Sequence, residues 1–474
     1  MNALNYIVNR ESALPVVLTG RQMSMVAFGT VISYGLVSGS AFPLLVAGSA
    51  AVPAYMAAGL VALLLMVCLG SMVAQRATPG AFGSYAECHL GPATGFLVRA
   101  AYLASLVLII GTEVSLLTPV LAAWLPHANT AAVLSVLLAG LVLVNLGGAR
   151  TFAHCEVALS AFKILSLIAL IALAVYHAAQ GFSVQSQSSV GFASSLAEVP
   201  FVNIWQAFML ATLGFVGIES LAIVAAETKI SADGLRCRLR VTTLAVVGLA
   251  LAAAASASAL VQSGAASLSQ PPFGTLLGLA GLPWPNTLFR VLVLVTILSV
   301  LNSQIYCASR MLFSMARAGQ APVGLGRTTA RGPVRAVMAT GALSIVVLLL
   351  NTWQAGAAYV AATAIATTGL LFVWLAIFLA SARHRMGSKT VHLKSCTQRC
   401  IGAIAPTAGA LVVVAIAGST LAIDEFVSTL HIGVPFMLLL WLGYAIFKYL
   451  TDSKRSRHRA PANAGRPTAT LLVE

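Results

Sequence analysis

Ionisable side chains stand inside long apolar stretches of the chain, among them Glu113, Lys163 and Glu219. An ionised group held away from water is costly, so each must pair with something or take part in moving charge. Lys163 follows Glu156 by seven residues. Desolvation favours the neutral amine, which suits reversible protonation; the competing reading is a permanent ammonium that ties helices together. Glu113 suits pairing with a cation or relaying a proton. Glu219 stands directly behind a glycine-rich interruption, where a carboxylate also serves as an acceptor for backbone N–H groups released by unwinding. Asn302 and Ser303 sit in the middle of another apolar stretch and either face a site or hydrogen-bond between helices. For Glu227 and Arg310, near the ends of theirs, gate or loop pairing is the stronger reading.

Two apolar stretches are themselves interrupted. The first carries Gly29-Thr30-Val31-Ile32-Ser33-Tyr34-Gly35 and then Gly39-Ser40; the sixth carries Gly214-Phe215-Val216-Gly217-Ile218-Glu219. A helix broken within lipid must re-satisfy its freed backbone groups against protein or a water-filled cavity. Such breaks at matching places in two halves are the pattern of an inverted-repeat transporter with a midplane site. On their own they are equally read as glycines that let helices pack closely.

The elements that must position these residues follow from composition. Of 474 residues, 59% are hydrophobic and 8% charged, against about 25% charged in a soluble domain. This is the composition of a membrane protein. Apolar segments of spanning length fall near 22–46, 50–74, 94–123, 130–148, 156–178 and 202–226, then near 241–263, 287–316, 335–351, 356–381, 402–422 and 431–450. Twelve spans leave no room for a large soluble domain.

The chain holds 27 basic and 12 acidic residues, a net charge of +15. Nucleic-acid motifs and aromatic-interleaved basic patches are absent, so the charge does not point to nucleic acid. Its distribution reads as topology. With both termini cytoplasmic, the inner loops carry Arg76, Arg150, Lys229, Arg236, Arg238, Arg240, Arg317, Arg327, Arg331, Arg335 and the basic group from Arg383 to Arg399. The outer loops near 123–130, 179–201, 264–286, 352–355 and 423–430 hold no Lys or Arg, with Arg290 at an outer helix end. This asymmetry favours an even number of spans with both ends inside. The basic tail from 451 is expected to be disordered near anionic headgroups. The N-terminus lacks a cleavable signal pattern, so the first span is expected to be retained. Seven cysteines form no disulfide framework, and His392, Cys396 and Cys400 lack the paired spacing of a zinc site.

At the interrupted segments the chain resembles the amino acid permeases of the amino acid, polyamine and organocation superfamily, over roughly residues 18 to 450. GTVISYGLVSGSA, from Gly29 to Ala41, lies without gaps on the family's GGTIGTGLFLGSG. TPGAFGSYAECHLGPATGF, residues 78–96, matches its pattern after span two, and FVGIESLAIVAAET, from Phe215 to Thr228, is similar to its FxGxE followed by AGE. LNSQIYCASRMLFSMARAGQAP, from Leu301 to Pro322, is similar to the family's N-S-x-x-Y-x-x-S-R-x-L-x-x-L-A-x-x-G-x-x-P.

The resemblance implies an all-α polytopic membrane protein of LeuT type. Twelve helices would form a 5+5 inverted repeat with discontinuous helices 1 and 6, plus two peripheral helices. A cytoplasmic segment 1–21 would precede the first repeat, 22–178; the second, 202–381, would be followed by peripheral helices within 402–450 and the tail 451–474. Alternating access around one amino acid is the implied mechanism. Backbone donors near Ile32, Ser33, Tyr34 and Gly35 would receive the substrate carboxylate at a positive helix end. Carbonyls near Leu213, Gly214 and Phe215, in the break that includes Gly217, would accept from its ammonium. Tyr34 and Phe215 would be walls or gates unless they only fill the interior, and Asn302 would reach the site from span eight. In some proton-coupled relatives a lysine ammonium replaces the bound cation, which makes Lys163 the first candidate for coupling; Glu113 and Glu219 complete the set. No cofactor is implied beyond a proton gradient, and no partner beyond substrate and membrane lipid; the expected location is the cytoplasmic (inner) membrane.

The departures from the family pattern carry information too. Ser33 stands for a glycine and Tyr34 for a small residue, which narrows the pocket and disfavours a large aromatic substrate. Ser71 replaces a glutamate, and Arg99 and Ala100 replace glycine and tryptophan. An amino acid/amine or polyamine antiporter is the alternative to a symporter, and a non-transporting amino acid sensor is a third reading. No nucleophile–base set, P-loop or metal cluster suggests an enzyme.

Overall fold

The computed structural model describes residues 3–39, 41–180, 199–263, 265–266, 270–354, 356–387 and 396–459. In chain order, α1 (Ala3–Glu11) precedes α2 (Gly20–Val31), α3 (Tyr34–Val37), α4 (Ala41–Ala47), α5 (Ala51–Val73) and α6 (Ala81–Leu90). Then come α7 (Pro92–Glu113), α8 (Thr118–Trp124), α9 (Thr130–Leu146), α10 (Ala149–Ala179), α11 (Phe201–Gly214) and α12 (Ser220–Val224). The rest is α13 (Ala232–Gln262), α14 (Pro272–Leu279), α15 (Pro285–Arg317), α16 (Val334–Trp353), α17 (Ala357–Gly387), α18 (Cys396–Ser419) and α19 (Val427–Arg459). Among the described residues, extended pairing is limited to two isolated bridges, Leu18 with Thr228 and Thr329 with Gly332.

Among the described residues, eight helical stretches are long and apolar enough to cross a membrane, and three more apolar helices, Thr130–Leu146, Phe201–Gly214 and Ile404–Ser419, are shorter. Local signals set their ends. Thr19 and Gln22 form a reciprocal capping box at the start of α2, and Asn129 and Ser231 cap α9 and α13 through their side chains, each satisfying an N–H that the helix itself cannot. Gly91 ends α6 at φ 108° and Pro92 then opens α7, the positions where each is least costly.

Helices in lipid gain little from the hydrophobic effect and associate through close packing instead. Gly59 of α5 illustrates this, since a Cβ there would stand 2.5 Å from Val247 of α13. The long α15 lies deepest, with 72% of its spanning window buried, whereas α19 buries 6% and forms the outside of the bundle against α17 and α7.

Several expectations change in detail. The segment before the first span contains α1, with Leu4, Ile7 and Glu11 buried. The third span is not one continuous α-helix, because a 3-10 turn at Val114–Leu117 separates α7 from α8. His392 and the tail beyond 459 lie outside the described residues, as do the side chains of Cys396 and Cys400. The other five cysteines are free thiols.

Candidate functional site

The first span breaks at two residues. Ile32 closes α2 with ψ 85°, Ser33 is extended, and α3 restarts at Tyr34. Of the four amides expected to be free, two are engaged: Ile32 N donates to Phe28 O at 3.0 Å and Ser33 N to Val31 O at 2.8 Å. Tyr34 and Gly35 open the first turn of α3, where a helix supplies no partner for its own N–H groups. In the sixth span, α11 ends at Gly214 and α12 starts at Ser220. Val216 N donates to Leu213 O and Ile218 N to Phe215 O. Gly214 O is the one of the three expected carbonyls without a backbone donor among the described residues.

The two breaks meet at a cavity of about 110 Å³, lined by Ser33 and Gly35 from the first break, Gly214 and Phe215 from the second, and Tyr55 and Leu210 among others. Among the described residues no charged side chain lines it. Ile32, Tyr34, Leu213, Gly217 and Asn302 are not lining residues. Tyr34 instead packs with the apolar cluster around Ile110, Ile297 and Leu301. Tyr55, which no sequence motif singled out, meets Phe215 edge-on with ring centroids 6.3 Å apart.

Lys163 is fully buried and its ammonium donates to Gly29 O at 2.8 Å and Ile32 O at 3.1 Å. These carbonyls end α2, where freed C=O groups and the helix dipole attract a cation. Lys163 thus ties α10 to α2, and the tie from α10 to α15 is made by Glu156. Glu156 accepts from Ser160 of its own helix and from Ser299 and Asn302 of α15. Asn302 also accepts from Asn145 Nδ2 at 3.0 Å, so its amide joins α9, α10 and α15 as a helix tie. Gly29 makes the approach possible, because a Cβ there would stand 1.9 Å from Glu156 Oε1.

Glu219 folds back on its own break. It accepts from Gly217 N at 3.1 and 3.0 Å and from Trp374 Nε1 at 3.2 Å, which is the backbone-acceptor role. Gly217 holds φ 106°, a conformation that glycine adopts without strain. Its carbonyl accepts from Thr30 Oγ1 at 3.1 Å, which joins the two broken spans directly. Glu113 is half-buried and accepts from Gln304 Nε2 at 3.1 Å. Nearby, an open hollow of about 360 Å³ is lined by Ser115, Thr118, Asn351 and Tyr359. Glu227 and Arg310 form a buried ion pair at 2.9 Å, with Tyr306 donating to the same carboxylate oxygen at 2.8 Å.

Sequence reasoning missed the roles of Glu156, Ser299, Tyr55 and Thr30. Of these, Glu156 carried a usable signal, being a carboxylate two turns from Lys163 on the same helical face. Among the described residues no group of three His, Cys, Asp or Glu side chains is placed to hold a metal ion.

The chain is 26% identical to a provisionally named histidine permease of Bacillus subtilis strain 168, over 97% of this chain and 99% of the relative. It is 28% identical to a gamma-aminobutyric acid permease of the same strain, over 72% and 74%, and 25% identical to its amino-acid permease RocE, over 90% and 94%. In structure it is similar to a nucleobase-cation-symport-1 family transporter solved in a closed conformation with bromovinylhydantoin bound. That likeness has a TM-score of 0.55 at 16% identity and covers 92% of this chain and 96% of the other. The amino acid permease family matches residues 22–454, nearly the whole of the broken-helix bundle just described, and the chain therefore belongs to the amino acid permease family, a family of membrane transporters and not of enzymes.

Proposed function

We propose that this permease is a proton-driven importer of a small, electrically neutral amino acid. Its transmembrane core would be a 5+5 inverted repeat within twelve spans, both termini cytoplasmic, in the cytoplasmic membrane. The observation that carries the reading is the cavity where the two helix breaks meet, lined by Ser33, Gly35, Gly214 and Phe215. Its uncharged lining favours a substrate whose own side chain is uncharged, because a buried charge without a partner is costly. The relatives' names span histidine and gamma-aminobutyric acid, so they do not choose among substrates.

Alternating access would open this cavity to either side in turn. The three shorter apolar helices and the α2–α3 pair, added to the eight longer stretches, support the count of twelve spans. Lys163 is the coupling candidate. As an ammonium it holds Gly29 O and Ile32 O in place at the end of α2; as a neutral amine it would hold them weakly, so protonation would set the shape of the break. Glu113 stands two residues before Ser115, which lines the open hollow, and would relay protons from there. Glu219 shapes the second break. The reading calls for no cofactor and no protein partner.

The test is uptake into proteoliposomes by purified protein, across a panel of the twenty amino acids and common polyamines, with and without an inward proton gradient. Gradient-dependent accumulation of one or a few neutral amino acids supports the reading. Exchange without net accumulation would replace it with antiport, and binding without flux with a sensor.

A further inference from the structure

We infer that α1 is a cytoplasmic latch, docked through a four-charge cluster with a buried centre, that must come away before the permease opens inward. Its buried face is Leu4, Ile7 and Glu11, spaced along one side of a helix. The Glu11 carboxylate is fully buried and accepts from Gly80 N at 3.1 Å, Ser84 Oγ at 2.9 Å and Arg99 Nη2 at 3.1 Å. Arg99, also fully buried, reaches Glu87 at 2.7 Å, Ser314 of α15 at 3.0 Å and Gln320 at 3.3 Å. Arg10 bonds Glu87 at 2.8 Å on the outer side of the same cluster, and Arg317 Nε donates to Arg10 O at 2.7 Å. Four elements, α1, α6, α7 and α15, are thus held at one point, and the residue at its centre is one where this chain departs from its family's glycine.

The segment just after α1 is fixed elsewhere. Val17 N and Leu18 N both donate to Glu227 O, and Lys229 N donates to Leu18 O, so residues 17–18 lie along the end of the sixth span. The N-terminal stretch therefore bridges from α7 and α15 to the sixth span. Any motion that parts these elements on the cytoplasmic side must break one of its attachments. The cluster suits a reversible contact. Its two arginines and two glutamates balance, and release of α1 leaves Arg99 paired with Glu87, so no buried charge is stranded without a partner.

The inference rests on the alternating-access reading, but its test reads opening and not flux. Cys307 is buried one residue beyond Tyr306, within a turn of Arg310. In full-length protein in proteoliposomes, Cys307 alkylation by a maleimide is followed by peptide mass spectrometry, and α1 docking by amide hydrogen exchange over residues 3–11. Two variants are compared, Glu11→Gln and Arg10→Ala. The second removes an edge contact and leaves the Glu11–Arg99 pair intact, so it serves if the first does not fold. Exposed α1 amides together with Cys307 alkylation about tenfold faster, the effect of weakening the closed state by roughly 1.4 kcal/mol, are expected. Exposed amides with an unchanged Cys307 rate would overturn the latch, as would amides that stay protected in both variants. Absence of flux in the unmodified protein would count against the transport reading and leave these rates to be judged separately.

Discussion

The ammonium of Lys163 lies 2.8 Å from the carbonyl oxygen of Gly29, three residues before the point where the first span unwinds. No carboxylate is within ion-pair distance of it among the described residues, so backbone carbonyls at the end of α2 hold this buried charge. The geometry links the protonation of one side chain to the shape of the substrate break. Lys163→Ala should reduce gradient-driven accumulation by about tenfold or more, the effect of losing one contact of roughly 1.4 kcal/mol, while exchange of labelled substrate persists. Concentrative uptake at the unmodified rate would remove Lys163 from coupling.

Gly29 is required by a neighbour and not by its backbone angles. A Cβ would stand 1.9 Å from Glu156 Oε1, and that carboxylate is fixed by Ser160, Ser299 and Asn302. Gly29→Ala should therefore cost about 1 to 3 kcal/mol, as overpacking of a filled interior does. Thermal unfolding of the purified protein measures it, and a midpoint equal to the unmodified one would show that α2 and α10 can separate freely.

Ser33 lines the cavity at the point where the family has glycine. Ser33→Gly removes a side chain from its wall and should let larger neutral amino acids compete for uptake. Competition measured across the twenty amino acids decides it. An unchanged order of inhibition would mean that this wall does not select the substrate.

The helix breaks were legible in the sequence because glycine and polar residues within a spanning stretch have few explanations. What stayed hidden was which group meets which. Lys163 and Glu156 were both visible, yet only the packing of α10 between α2 and α15 shows Lys163 turned to the first and Glu156 to the second. Asn302 looked like a site residue because it is polar at mid-span, and a polar residue that ties three helices has the same signature. Tyr55 gave no signal, since an aromatic residue in an apolar helix is unremarkable until a cavity forms beside it. Arg99 was seen as a departure from the family, but its partner Glu11 lies in a segment with no motif.

Glu219 accepts the N–H of Gly217 and of Trp374, the work of a structural acceptor. Glu219→Gln keeps one carbonyl oxygen for these donors and should lower stability by about 0.5 to 1.5 kcal/mol, the net worth of one hydrogen bond, without moving the pH dependence of uptake. Uptake rates measured across pH provide the check. A displaced profile in the variant would place Glu219 on the proton route.

The α1 contact should be lost in acid. Burial pushes the Glu87 carboxyl up, but hydrogen bonds and charge from Arg10 and Arg99 outweigh it and hold the group below its ordinary value of 4.5. Around it stand Arg10 and Glu11 from α1 and Arg99 from α7. A lowered carboxyl contributes stability above its unfolded value and loses it as pH falls through the folded one, so docking should hold at neutral pH and fail below 4.5. A nitroxide at the exposed position of Tyr6, in a chain with its seven native cysteines replaced by serine, reports the helix's mobility. Arg10→Ala should move the onset of mobility to higher pH, because it removes a partner that lowers Glu87. A label equally immobile throughout the acid range would mean that α1 is held by Leu4 and Ile7 and not by its charges.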